Sequence, residues 1–317
     1  MKAAIIAEAG QPPVYGEFPR PLPQAGKTLI RVSASALSHV TRSRASGSHY
    51  SGKATLPFVP GVDGVGVGPG GQRVYFLFPE PPYGAMAEAC LVDERHCFHL
   101  PAGLGSEDAA AMAIPGMSSW AALVERARLR AGETVLINGA TGASGRLAVQ
   151  IAKHLGASKV IATRRRPAAL DELVALGADV IVPLNDDREQ LEQDVRATFE
   201  QGVDIVLDYL WGTSAEALIR AAAKFGPDEV PVRYVSIGSL GGQNIELPSA
   251  ALRSSALQLM GSGMGSIPFD RLIEAIHGVL AAAPTAGFRI ATQSVPLSDV
   301  ARVWGQPDTG RRLVLVP

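Results

Sequence analysis

The chain has 317 residues, 47% of them hydrophobic and 19% charged, enough for two domains at roughly 100–200 residues each. Its 29 Lys and Arg stand against 30 Asp and Glu, with no long block of one sign, which argues against a general nucleic-acid or membrane-surface binder. Only two cysteines are present, Cys90 and Cys97, and no leader pattern or apolar run of roughly 18 residues is seen, so a reduced, cytoplasmic chain that does not enter the membrane is expected.

Up to about residue 115 the pattern is one of short extended runs. Thr28 to Val32, Arg73 to Phe78 and Met86 to Val92 are separated by Pro and Gly punctuation such as Pro12-Pro13 and Pro81-Pro82, which predicts a β unit with long loops. Beyond that point apolar runs alternate with helix-length segments. Thr134 to Gly139 precedes a helix over 144–156, Lys159 to Thr163 one over 167–177, and Asp179 to Pro183 one over 186–201. Asp204 to Leu210 precedes a helix over 213–225 and the strand Arg233 to Ser239. Runs such as Val135-Leu136-Ile137 and Ile205-Val206-Leu207 lack polar alternation, as strands covered on both faces do, so a parallel sheet with helices on both sides is predicted. The tail reads as a helix over 268–283, an extended run over 288–297, a short helix after Ser298 and a last strand over 313–316. Such a mixed tail most simply returns to the first domain.

Gly139-Ala140-Thr141-Gly142-Ala143-Ser144-Gly145 follows the strand ending at Asn138 and opens a helix. Gly139 supplies backbone freedom for the tight turn, Gly142 lets a pyrophosphate approach the main chain, and Gly145 allows close packing of the helix. The helix N-terminus directs N–H groups and partial positive charge at the phosphates. A purely steric βα turn is the competing reading; the strand, turn, helix, strand context favours a dinucleotide.

The next strand ends Val160-Ile161-Ala162-Thr163 and runs into Arg164-Arg165-Arg166, where an NAD site usually carries an acidic residue for the ribose. Arg164 and Arg165 are expected to grip a 2′-phosphate, which selects NADPH; Arg166 fits a solvated loop equally well. Cys90, His96, Cys97 and His99 lie close in sequence but lack a C-x-x-C pair. Strand alternation divides them between faces, so no metal site is predicted.

Taken together, the chain resembles the medium-chain dehydrogenase/reductase superfamily, in its zinc-free, quinone oxidoreductase-like branch. The residues that carry the resemblance are Leu56-Pro57-Phe58-Val59-Pro60-Gly61-Val62-Asp63-Gly64-Val65-Gly66 and Ala111-Met112-Ala113-Ile114-Pro115-Gly116-Met117-Ser118-Ser119-Trp120. Gly132-Glu133-Thr134-Val135-Leu136-Ile137, Val203-Asp204-Ile205-Val206-Leu207-Asp208 and Val235-Ser236-Ile237-Gly238-Ser239 complete the set. The resemblance implies an α/β protein with a GroES-like β-barrel domain and a Rossmann doubly wound parallel-sheet domain, with the active site in the cleft between them. The boundaries expected are 1–117 for the barrel, 118–262 for the Rossmann domain and 263–317 for a return to the barrel. A homodimer formed by edge pairing of the Rossmann sheets is also implied.

The zinc enzymes of this superfamily have a cysteine after the first long strand and a His-Glu pair later. Here Ala36-Leu37-Ser38-His39-Val40-Thr41 has no cysteine, and Val62-Asp63 replaces the pair. Ser38 also stands where the zinc-free enzymes commonly carry Asn. The tyrosine often found near the NADPH phosphate after the third strand is replaced by the run Val182-Pro183-Leu184-Asn185.

The resemblance thus implies hydride transfer from NADPH to a quinone or α,β-unsaturated carbonyl compound, with Ser38, Tyr50 and Ser118 as candidate hydrogen-bond donors. Each has a structural alternative: Ser38 as a turn residue, Tyr50 as a packing group, Ser118 as a cap for a helix beginning near Trp120. Expected cofactor contacts are Gly139, Thr141, Gly142, Ala143, Ser144, Gly145, Thr163, Arg164, Arg165, Ser236, Gly238 and Gly261. A zinc-free carbonyl reductase or alcohol dehydrogenase, and a catalytically silent NADPH-binding redox sensor, are the alternatives.

Overall fold

The computed structural model describes residues 1–47, 55–165, 170–185, 187–306 and 310–317. Its strands, in chain order, begin with β1 (Lys2–Ile5), β2 (Val14–Glu17), β3 (Lys27–Ala36), β4 (Asp63–Val67), β5 (Arg73–Leu77), β6 (Ala89–Asp93) and β7 (Cys97–His99). Next come β8 (Thr134–Asn138), β9 (Lys159–Arg164), β10 (Val180–Pro183), β11 (Ile205–Asp208), β12 (Val232–Ser236) and β13 (Leu257–Gly261). The last two are β14 (Thr292–Pro296) and β15 (Arg312–Val316).

Two compact units result, one of Met1–Ala113 with Ile290–Pro317 and the other of Ile114–Arg289. In the first, β14, β15, β3, β4, β5 and β7 form one sheet, and β6 also pairs with β3. All of these pairings are antiparallel except that of β14 with β15. Alternation along β3, β5 and β6 sends Ile30, Val32, Val74, Phe76, Cys90 and Val92 into one apolar cluster, which is the physical content of the predicted β unit. On the opposite face of these strands a carboxyl group is buried: Asp63, at the start of β4, accepts a hydrogen bond of 2.9 Å from the Tyr75 hydroxyl.

In the second unit six parallel strands lie in the order β10-β9-β8-β11-β12-β13. Counted from β8, this is the doubly wound order 3-2-1-4-5-6, in which the chain reverses direction across the sheet between β8 and β11. Helix Gly212–Phe225 buries Ala215, Leu218, Ile219 and Ala222 against Leu136, Val206 and Tyr234 of the sheet.

The structure departs from the sequence expectations in four places. The chain passes between units inside a continuous helix, Ser106–Ala121, so the boundary lies at 113/114 rather than 117/118, and past Trp120 this helix runs directly into a π-helical turn, Ala122–Arg126, with no helix start for Ser118 to cap. Segment 263–289 belongs to the second unit and not to the first. Its helix Phe269–Ala286 places Gly278 against the Trp120 indole and Val279 against Gly116, a contact that only residues without a side chain allow. The helix expected over 186–201 is two helices, Arg188–Asp194 and Arg196–Glu200, that meet at Val195. Finally, β13 has no clear signature in the sequence, because Gln258 interrupts its short apolar run.

Burial raises the Asp63 pKa to about 7, against the opposing pull of its Tyr75 bond and of Arg312. A raised carboxyl favours the fold fully below the unfolded-state value of about 3.9, and that contribution is lost as pH rises through 7. Asp63→Asn should therefore flatten the decline in urea midpoint between about pH 4 and pH 8, a span worth a few kcal/mol in the parent protein. An unchanged pH profile would show that Asp63 is not the titrating group.

Candidate functional site

At the switch point, the ends of four strands are joined by buried polar side chains. Asn138, the last residue of β8, donates from Nδ2 to Asp208 Oδ1 at 2.8 Å and to Ser214 Oγ at 3.0 Å. Its Oδ1 accepts from the Thr163 hydroxyl at 3.0 Å, and Thr163 Oγ1 in turn accepts from the Gly139 N–H at 2.9 Å. Asp208, the last residue of β11, also accepts from the Leu210 N–H at 2.9 Å, the Trp211 N–H at 3.1 Å and the Tyr234 hydroxyl at 2.8 Å. Burial pushes the Asp208 carboxyl up, and these hydrogen bonds oppose that shift. They also hold Trp211 at φ 60 and ψ −157, a region that residues with a side chain rarely occupy and that costs of order 1–3 kcal/mol.

The glycine turn is built on this network. Gly139 has φ +91, and a Cβ there would meet Leu210 Cγ at 2.9 Å. A Cβ on Gly145 would lie 2.3 Å from the Gly139 carbonyl oxygen, so strand and helix can join this tightly only if that side chain is missing. At Gly142 a Cβ would meet nothing nearer than 3.9 Å. Gly142 is the N-cap of helix Ala143–His154, and no side chain caps that end. Open space in front of uncapped N–H groups is suited to an anion. Thr141, Ala143 and Ser144, all half-buried, complete the turn.

Other predicted contacts lie at the same end of the sheet. Arg164 ends β9, with its backbone carbonyl accepting from the Leu184 N–H at 2.7 Å; its Nε is buried with no hydrogen-bond partner among the described residues. Arg165 follows it and is exposed. Ser236 ends β12, and the N–H of Gly238 donates to the Asp208 carbonyl at 3.2 Å. Gly261 ends β13, and its carbonyl accepts from Arg126 Nε at 2.7 Å. Thr163 differs from expectation: it is fully buried and both faces of its hydroxyl are engaged, so it braces the glycine turn from below.

The three candidate donors fare differently. Ser38 is the buried N-cap of helix His39–Ala45, where its Oγ accepts from the Thr41 N–H at 3.0 Å and lies 2.9 Å from Thr41 Oγ1. This is a local backbone contact of the kind its structural alternative describes. Tyr50 lies outside the described residues. Ser118 is half-buried inside helix Ser106–Ala121, donating to the Pro115 carbonyl at 2.8 Å. Beside it are two residues that sequence reasoning passed over: Ser119, fully buried, has its Oγ 2.7 Å from the hydroxyl oxygen of buried Tyr209. The Cys90, His96, Cys97 and His99 segment shows no cluster, and no group of three or more potential metal ligands occurs among the described residues. Among the same residues no helix is long and apolar enough to cross a membrane.

Residues 143–280 match the family model described as zinc-binding dehydrogenase. Over an alignment of 363 positions that covers all of both chains, the sequence is 32% identical to the probable NADPH-dependent quinone reductase tdiC of Emericella nidulans. The chain belongs to the medium-chain dehydrogenase/reductase superfamily, in its quinone oxidoreductase-like branch. Another member of this branch, the quinone oxidoreductase of Lama guanicoe, is 26% identical over 269 residues, 81% of this chain and 79% of that one. Among solved structures, the quinone oxidoreductase of Thermus thermophilus, determined also in complex with NADPH, superposes over the full length of both chains with a TM-score of 0.83 and 28% identity. The superfamily's two-domain α/β architecture accounts for the parallel sheet and for the tight turn that follows β8.

Thr163→Val keeps the shape of the side chain but strands the Gly139 N–H and the Asn138 amide oxygen. A loss of about 1–3 kcal/mol in urea-unfolding free energy is expected, and a loss near zero would mean that the turn holds itself. Ser38→Ala should cost about 1 kcal/mol, the usual value of an N-cap, by the same measurement.

Proposed function

We propose that this chain is an NADPH-dependent oxidoreductase whose acceptor is a quinone or α,β-unsaturated carbonyl compound, reduced without a zinc ion. The single observation that carries the cofactor is the glycine turn, with open space at Gly142 before an uncapped helix end. Gly139, Thr141, Gly142, Ala143, Ser144 and Gly145 would hold the pyrophosphate through main-chain N–H groups. Arg164, with its buried and unsatisfied Nε, and Arg165 would meet the 2′-phosphate, where no carboxylate competes at the strand end. Ser236, Gly238 and Gly261, at the ends of β12 and β13, would line the nicotinamide side.

When bound, NADPH supplies a hydride. The protein's part is to orient the acceptor, exclude water and stabilise the negative charge that develops on the acceptor oxygen. Among the described residues the candidate donors are Ser38, whose oxygen accepts from the Thr41 N–H, and Ser118, whose proton would turn from the Pro115 carbonyl to a bound acceptor; Ser118 is the one assigned this role. A quinone or enone would need only such a hydrogen-bond donor, because hydride adds at an electron-poor carbon, the resulting negative charge is delocalised onto oxygen, and the proton that neutralises it would come from solvent. Zinc independence is supported by the residues standing at the positions of the metal ligands: Ser38 to Thr41 holds no thiol, and the Asp63 carboxyl is bonded to Tyr75. Pairing of β13, the outermost strand of the parallel sheet, with its copy in a second chain is the proposed route to a homodimer.

Arg164→Ala should weaken NADPH about tenfold to a hundredfold, from about 1.5–3 kcal/mol of charge-assisted bonding, and leave NADH within twofold. Fluorescence titration with both cofactors reads this; equal losses would make Arg164 a structural residue. Oxidation of NADPH in the presence of 1,4-naphthoquinone, 2-cyclohexenone or cyclohexanone tests the acceptor. Turnover of the first two is expected, whereas turnover of the simple ketone alone would favour a carbonyl reductase.

A further inference from the structure

We infer that Tyr209 and Ser119 form a hydroxyl latch that positions Ser118 against the glycine-turn helix for hydride transfer, an inference that rests on the NADPH-dependent reading above. Three elements meet at Ser119 Oγ: its own helix through the Pro115 carbonyl at 3.1 Å, helix Ala143–His154 through the Ser144 carbonyl at 3.1 Å, and the end of β11 through Tyr209 Oη at 2.7 Å. A serine hydroxyl has one proton, and a carbonyl oxygen only accepts. The Ser119 proton therefore serves the carbonyls, and Tyr209 is the donor in the 2.7 Å contact.

Ser118 precedes Ser119 on the same helix and donates to the same Pro115 carbonyl, at 2.8 Å, so the place of its oxygen follows the turn that Ser119 fixes. Burial raises the Tyr209 phenol well above the ordinary value, so it remains a neutral donor at any physiological pH. Tyr209 itself is anchored: its N–H donates to the Asn138 carbonyl at 3.1 Å, and Gly238 packs so closely on its carbonyl that a Cβ there would lie at 2.8 Å. The phenol thereby links the strand ends under the cofactor turn to the helix that carries Ser118. Tyr209 and Ser119 are positioning residues, acting through Ser118.

Tyr209→Phe keeps the buried ring and removes only the hydroxyl, and Ser119→Ala removes the other half of the latch. Single-turnover oxidation of NADPH by 1,4-naphthoquinone should slow about tenfold in either variant, the scale expected of a small misplacement of reacting groups. The dissociation constant for NADPH, set by the phosphate contacts, should stay within twofold, and the double variant should lose no more than each single one. The primary isotope effect with NADPH deuterated at the transferred position should rise as the hydride step becomes more limiting. Unchanged rates overturn the inference, as do additive losses, or losses of rate and affinity in equal proportion. Should Tyr209→Phe fail to fold, Ser119→Ala alone decides by the same criteria. A parent protein that oxidises NADPH with none of the acceptors defeats the functional reading and this inference with it. An active parent whose variants match it defeats the inference alone.

Discussion

The second unit depends on closing four parallel strands with polar groups that have no access to water. An isolated buried carboxyl, amide or hydroxyl costs several times what a satisfied one contributes, and Asn138, Thr163, Asp208, Ser214 and Tyr234 meet that demand by bonding to one another and to main-chain N–H groups. The arrangement has a geometric result. Thr163 holds the Gly139 N–H and Asp208 holds those of Leu210 and Trp211, so the loops leaving β8 and β11 are tied to one scaffold. These bonds occupy the Gly139, Leu210 and Trp211 N–H groups and so fix the backbone of both loops in the absence of any ligand.

Strain and rigidity are connected at the same place. The unusual backbone of Trp211 and the positive φ of Gly139 are neighbours in space, since Leu210 lies against Gly139. Asp208 is the residue that makes the first conformation sustainable, and Thr163 the residue that fixes the second. Neither touches solvent. The helix Ser106–Ala121 is drawn in by the same logic: Ser119 closes on the Ser144 carbonyl and on Tyr209, which itself continues from Asp208. Chemistry-bearing groups at the surface of the site thus stand on a buried hydrogen-bonded floor, and their positions are set by residues one layer below them.

The first unit handles its polar residues differently. Asp63 sits among apolar strands with one strong partner, Tyr75, and its raised pKa is the sign that a single hydrogen bond and a nearby guanidinium do not fully replace water. In the zinc enzymes this region resembles, a carboxylate accompanies a metal-binding histidine. Here Val62 precedes the carboxyl group, and Asp63 is incorporated into the strand packing.

Much of this protein was legible in its sequence because the signals are local. Continuous apolar runs such as Val135-Leu136-Ile137 mark strands covered on both faces, glycines at 139 and 145 mark a turn whose backbone must pass where side chains would collide, and the arginines at 164 and 165 mark the absence of the usual acidic residue. Helix Ser106–Ala121 was hidden by Pro115, which reads as a breaker although only one N–H is lost. What the tertiary structure decided was pairing. Nothing in sequence spacing brings Thr163 to Gly139, Ser119 to Tyr209, or helix Phe269–Ala286 to Trp120. A hydroxyl has no periodicity that announces its partner, and the choice between capping a helix, as Ser38 does, and facing a site is made by whichever neighbour the fold places within hydrogen-bonding distance.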